Sequence, residues 1–140
     1  LDAADVSKST LKVKIDPSSV RTDYPYPEKV NFDAGIATSP KFLDGTAHPN
    51  VTFVSTGIVV TGAKTANITG NLTLRGVTKP VTLAATLNGS MPAHPMTKLP
   101  VFGISAKGSF KRSDFGMDYG TQFVSDTVEL VIEAEFVKAQ

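Results

Sequence analysis

Val-Ser-Asp-Thr-Val-Glu-Leu-Val-Ile-Glu-Ala-Glu-Phe, residues 124–136, is the most regularly patterned stretch of the chain. Apolar or small side chains occupy the even-numbered positions Val124, Val128, Leu130, Ile132, Ala134 and Phe136, and polar side chains occupy the odd-numbered positions Thr127, Glu129, Glu133 and Glu135. Val131 departs from the pattern. Because successive side chains of a β-strand point to opposite faces, this period of two predicts a strand with one dry and one wet face.

Five further stretches support an all-β fold. The alternation recurs in residues 11–15, 67–74, 81–87 and 102–111, and residues 51–60 predict a sixth strand with a candidate bend at Gly57. One-sided strands are typical of antiparallel sheets. Turns are predicted at 76–80 and from Asn88-Gly89, which opens a loop ending at Pro100. Six such strands either curl into a barrel or stack as a sandwich.

The segment 17–49 differs from the rest because five prolines interrupt it. Within it only Glu28–Thr38 is suited to a helix, with Pro27 close to a favoured first position and Gly35 weakening the pattern. A long, partly helical connection between two strands predicts a lid or cap over one end of a barrel. Its aromatic residues, Tyr24, Tyr26, Phe32 and Phe42, either close over a ligand or pack the connection onto the barrel.

Length and composition restrict the classes of function. The 140 residues predict a single domain, 1–140, and 14 basic against 13 acidic residues give no basic surface for nucleic acid. No apolar stretch is long enough for a membrane span. The absence of cysteine excludes disulfides, thiolate metal sites and a cysteine nucleophile. Since Leu1 is not Met, we expect that a leader or upstream segment has been removed.

Catalytic and metal-binding motifs are missing from the sequence. The two histidines, His48 and His94, adjoin prolines in predicted loops and lack the spacing of metal ligands. No Gly-x-Ser-x-Gly elbow and no phosphate-cradling glycine loop occurs. We therefore expect a protein that is not an enzyme and that has no cofactor and no metal.

Charged residues cluster at the predicted strand ends, namely Arg75, Lys79, Lys111, Arg112 and Asp114. They either meet the polar head of a ligand at a barrel mouth or form turns and ion pairs that fix hairpin geometry. The predicted dry faces themselves show no charge. They mix bulky residues with small ones such as Gly70 and Gly108, a pattern that fits a hollow barrel and equally the taper of a solid one.

Three segments together resemble the YceI-like family. Residues 70–81, GNLTLRGVTKPV, are followed by 87–89, LNG; residues 111–117, KRSDFGM, are followed by 124–130, VSDTVEL, and 132–134, IEA; and His48-Pro49 through Phe53, with Ser55-Thr56, matches a third stretch. The order and spacing of these segments cover residues 46–136. The connection 23–44 departs from the family pattern, which is richer in charged residues there.

The resemblance implies a lipocalin-like, eight-stranded antiparallel barrel whose cavity holds a polyisoprenoid or an isoprenoid quinone. It also implies a periplasmic or secreted bacterial protein. Because only six strands are visible, we expect the family's N-terminal strands to be missing from this sequence. A barrel short of strands is expected to have open edges, at which a homodimer is possible.

The predicted function is to carry or sequester an apolar lipid, and the alternative is a structural or protein-interaction barrel without a lipid ligand. The predicted cavity lining comprises Phe42, Phe53, Ile68, Leu72, Leu83, Phe102, Ile104, Phe110, Val128, Leu130 and Ile132.

Overall fold

The computed structural model describes residues 1–2 and 4–139, and their backbone forms one antiparallel sheet. The strands are β1 (Lys12–Ile15), β2 (Val51–Val60), β3 (Thr65–Leu74), β4 (Val77–Met91), β5 (Val101–Lys111) and β6 (Thr127–Val137), and the helix α1 is Phe32–Thr38. Short 3-10 turns occupy Val6–Lys8, Pro17–Ser19 and Ser113–Phe115. The strands lie in chain order, β1 to β6, in a curled half-barrel. This confirms the predicted all-β antiparallel fold with a short helix in the 17–49 connection.

The register of the strands places the predicted apolar positions on one concave face. Phe53 is opposite Leu72, and Ile68 is opposite Leu83. On the next strands, Ala106 is opposite Ile132. Directly opposed residues share a face of the sheet, so the alternation of each strand adds to one continuous apolar surface. The core lies on this inner face.

The turn between β3 and β4 is shorter than predicted. It consists of Arg75 and Gly76, whose φ angles of 55° and 74° fit the two-residue turn that matches the twist of a hairpin. Strand β4 therefore begins at Val77, and Pro80 lies within it rather than in a turn. Its pairing with β5 begins only at Ala84, so Pro80 interrupts no ladder between β4 and β5.

Two other predicted boundaries are wrong. Asn88 and Gly89 lie inside β4, where the pairing with β5 shifts register, and do not open the following loop. A β-bulge accommodates the glycine without ending the strand. Val124 was predicted on the dry face, but β6 begins three residues later and Val124 is 63% exposed. The bend predicted at Gly57 is confirmed as a register shift between Ser55 and Gly57.

The helix in the connection is also shorter than the predicted Glu28–Thr38. The side chain of Asn31 accepts a hydrogen bond from the backbone N–H of Ala34, so Asn31 caps the helix and α1 begins at Phe32. The chain then folds back, and the N–H groups of Leu43 and Gly45 donate to the carbonyls of Ile36 and Ala37. These bonds hold the connection as a folded cap instead of an extended loop.

Small residues on the inner face are matched by large neighbours across the sheet. A Cβ atom added to Gly70 would collide with the ring of Phe53 and lie 2.7 Å from the carbonyl oxygen of Val54. At Gly108 it would lie 2.8 Å from a methyl group of Leu83. At these two positions the solid-barrel interpretation is correct, because the space beside each glycine is filled.

Replacing Gly70 with alanine is expected to destabilise the fold by about 1–3 kcal/mol, since Phe53 must leave its rotamer or the strands must separate. Gly89→Ala is the matched control, because nothing lies within 4 Å of a Cβ atom at that position. Urea unfolding followed by circular dichroism measures both variants. Equal midpoints for the two variants would contradict the packing described at Gly70.

Candidate functional site

The predicted lining residues divide into two groups according to burial. One group is fully buried in the core and comprises Phe53, Ile68, Leu72 and Leu83. The other group lies on the inner faces of β5 and β6, is only half-buried, and comprises Phe102, Ile104, Phe110, Val128, Leu130 and Ile132. The second group leaves apolar surface accessible along two neighbouring strands. We call these six residues the inner trough and take them as the candidate binding surface.

An aromatic pair lies at one end of the inner trough. The rings of Phe102 and Phe136 are stacked, with centroids 5.1 Å apart and planes 13° from parallel. Phe136 is opposite Phe102 in the register, and its even position placed it on the dry face. It was nevertheless omitted from the predicted lining, although the alternation alone was sufficient to include it.

The other end of the inner trough is closed by the turn that follows β5. Phe115 is 1% exposed and meets the ring of Phe110 edge-on, at a centroid distance of 5.2 Å. Met117 is buried in the same cluster. The sequence predicted a structured turn here, but gave no periodicity from which the burial of these two residues was evident.

Phe42 lies in the cap, not on a strand. Its aromatic partner is Tyr119, whose ring it meets edge-on at 5.7 Å, and the ammonium of Lys41 lies 4.4 Å from the centre of the same ring. Next to it, Leu43 packs against the core cluster. Phe42 therefore joins the 17–49 connection to the loop before β6, which supports the interpretation of this aromatic as cap packing.

Two of the arginines at the strand ends hold loops in place. Arg75 donates from Nη1 to the carbonyl oxygens of Pro40 and Phe42. Arg112 donates to the carbonyl oxygens of Tyr119, Val124 and Ser125 at 3.0–3.3 Å. A guanidinium group suits this task because its donors are arranged in a rigid fork. Both side chains thus act on the cap and not on the inner trough.

Lys79 contradicts the expectation that the dry faces are free of charge. It is opposite Leu72 in the register of β3 and β4, so it belongs to the inner face of the sheet. Together with Lys111 and Asp114 it lines a cleft of about 280 Å³. The strand alternation suggested its direction, but the predicted turn at 76–80 concealed it.

The histidines are engaged near acidic residues. His48 Nε2 lies 3.8 Å from Asp44, and His94 Nε2 lies 3.9 Å from Glu135. Within residues 1–2 and 4–139, no group of three or more His, Cys, Asp or Glu side chains is placed to hold a metal ion. None of the helices in that part of the chain has the length and apolarity needed to cross a membrane.

Asp126 organises the turn beside the candidate site. Its carboxylate accepts hydrogen bonds from the Ser113 hydroxyl at 2.7 Å and from the Ser113 backbone N–H at 2.8 Å. These bonds, with smaller contributions from Lys111 and Arg112, hold the pKa of the Asp126 carboxyl below its ordinary value. The ionised aspartate therefore fixes the start of the turn that buries Phe115.

Comparison with known proteins identifies the family. Residues 1–136 match the model of the YceI-like domain. The chain belongs to the YceI-like family. A UPF0312 protein of Pseudomonas putida is 38% identical over 137 residues, which cover 98% of this chain and 67% of that protein. A UPF0312 protein of Azotobacter vinelandii is 36% identical over the same share of each chain.

Solved structures of the family share the fold. The YCEI protein of Campylobacter jejuni matches with a TM-score of 0.84 at 27% identity, over 99% of this chain and 78% of that one. Burkholderia cenocepacia BcnA matches with a TM-score of 0.80 at 22% identity, over 96% of this chain and 79% of that one. The resemblance seen in the sequence motifs is thereby confirmed.

We expect Arg75→Gln to loosen the cap, because it removes the fork that joins β3 to residues 40–42. The free energy of unfolding should fall by about 1 kcal/mol, the scale of a partly exposed charged hydrogen bond. Limited proteolysis with mass spectrometry should show faster cleavage within residues 17–49. Arg75→Lys is the control for charge and backbone conformation, and full protection in that variant would show that the fork is not required.

Acid is expected to release the Ser113 turn. Since the pKa of Asp126 is lowered in the folded state, its contribution to stability is present above the unfolded pKa of about 4 and is lost as the pH falls through the lower folded value. Asp126→Asn should therefore flatten the change of the urea midpoint between about pH 5 and pH 2. Asp118→Asn is the charge-matched control. An NMR titration placing the Asp126 pKa at or above its ordinary value would contradict this assignment.

Proposed function

We propose that this YceI-like chain binds a long apolar lipid, a polyisoprenoid or an isoprenoid quinone, on its inner trough. It would carry or sequester that lipid in the periplasm or outside the bacterial cell, without catalysing a reaction. The observation that supports this most directly is the half-buried apolar surface of β5 and β6. Apolar side chains aligned on a concave face suit an elongated hydrocarbon.

The residues of the inner trough suit an apolar chain better than a polar ligand. Their side chains are aliphatic or aromatic, and the acidic residues of β6, Glu129, Glu133 and Glu135, project from the opposite face. Binding would then depend on burial, at ~25 cal/mol per Å² of apolar surface removed from water. A chain of several prenyl units offers enough surface to offset the entropy lost when it is ordered.

Family membership supports a small-molecule ligand in general, because the YceI-like fold is a lipocalin-like barrel. The identity of the lipid, the compartment and the absence of catalysis are our proposals. The homodimer remains a prediction, and β1 and β6 are the two edges of the described sheet at which a second copy would pair.

Ile104→Lys tests the binding surface. The charge would lie in the inner trough, and we expect uptake of an apolar fluorescent probe, N-phenyl-1-naphthylamine, to fall at least about tenfold, since a buried ammonium must be desolvated. Val131→Lys is the matched control, because Val131 is 70% exposed on the opposite face. Circular dichroism establishes that both variants fold. Equal uptake by a folded Ile104→Lys protein would place the ligand elsewhere.

Organic extraction of the natively purified protein, followed by mass spectrometry, identifies the ligand. A stoichiometric prenyl lipid or quinone is the expected result. A blank extract, repeated after expression in the native host, would instead favour a structural or protein-interaction role for the half-barrel.

A further inference from the structure

Strands β4 and β5 separate at one end, and a cleft lies between them. Their pairing extends from Met91 opposite Val101 to Ala84 opposite Lys107. Beyond that point β5 continues along β6 as far as Lys111 opposite Thr127, while β4 continues along β3. The cleft of about 280 Å³ lies between residues 79–81 and 109–111.

The floor of the cleft is apolar and continuous with the core. It is formed by Val81, Phe110 and Phe115. Val81 and Phe115 belong to the buried cluster, and Phe110 packs against that cluster as part of the inner trough. The cleft is therefore an opening in the wall of the half-barrel that adjoins the proposed lipid-binding surface.

The rim of the cleft is rich in hydrogen-bond donors. Lys79 and Lys111 contribute two ammonium groups, and Ser109 and Thr127 contribute hydroxyls, against the single carboxylate of Asp114. In the part of the chain that the structure describes, neither lysine forms an ion pair, the ion pairs there being Lys8–Asp5, His48–Asp44 and His94–Glu135. The lining thus carries a net positive charge and can contribute more than one cationic donor to the same anion.

The position of Lys79 distinguishes this rim from an ordinary charged surface. The lysine lies in the inner-face register of β4, opposite the buried Leu72. A charged residue in such a register is unfavourable for packing alone, because its ammonium must remain solvated or find an anionic partner. Lys111, on the facing strand, lies across the cleft from it.

We propose that this cleft binds the phosphate or diphosphate head of a lipid whose apolar tail lies along the inner trough. The inference rests on the proposed lipid-binding function and specifies its ligand class as a phosphorylated prenyl lipid. The apolar floor favours the head of an amphiphile over free phosphate, since an inorganic ion gains nothing from contact with Val81 and Phe110. The two lysines and two hydroxyls supply the donors that phosphate oxygens require.

The test compares geranylgeranyl phosphate with geranylgeraniol, which differ only in the head group. Competition against N-phenyl-1-naphthylamine should show that the wild-type protein prefers the phosphate by about tenfold, and that added salt reduces this preference. The variant Lys79→Gln/Lys111→Gln should bind the two lipids within about twofold of each other, with unchanged affinity for the alcohol. The control Lys12→Gln/Lys107→Gln removes the same charge from the opposite face and should keep the preference.

Each contrary outcome has a distinct meaning. Equal binding of both lipids by the wild-type protein, or a preference that survives in Lys79→Gln/Lys111→Gln, overturns the head-group site and leaves the lipid-binding function standing. Binding of neither lipid overturns the function and the head-group site together. Inorganic diphosphate is the third probe, and if it binds as tightly as the phosphorylated lipid, the cleft is a site for free phosphate and the proposal is wrong.

Discussion

The one-sided burial of apolar side chains along each strand is the constraint on which the rest of the structure depends. A shift of one residue between β2 and β3 would turn Phe53 and Leu72 outward together, so the pairing register is fixed by the core. The same register fills the space beside Gly70 with the ring of Phe53. It also aligns the inner face of β5 with that of β6. The candidate binding surface is therefore a direct consequence of the fold.

The two ends of the half-barrel differ in how they are closed. At the end where β5 finishes, Phe115 is buried against Phe110, and Arg112 ties the following loop through three backbone carbonyls. Arg75 ties the connection to the hairpin at the start of β4. At the end where β5 begins, Phe102 and Phe136 stack but remain half-buried. Backbone anchoring thus stabilises the polar end, and accessible apolar surface is concentrated towards the other.

Alternation along the chain was sufficient to predict the strands and the membership of the inner face, because a strand's facing is a local property. It was insufficient wherever packing between distant residues decides the outcome. Gly70 was predicted as a contributor to a void, but Phe53, on the neighbouring strand, fills that space. The burial of Phe115 depends on a turn fixed by Ser113 and Asp126, which no period in the sequence reveals. The family motifs indicated the fold where such local patterns could not.

Lys79 connects the fold with the ligand chemistry more closely than any other residue. The prediction of a charge-free dry face was wrong because the two-residue turn at Arg75-Gly76 extends β4 by four positions and brings Lys79 into the inner register. The pairing between β4 and β5 ends before it reaches this lysine, so its ammonium stays exposed instead of being buried in the core. A sheet that remained paired along its full length would have to exclude this charge. The separation of the two strands is what allows an apolar wall and a cationic group to occupy the same face.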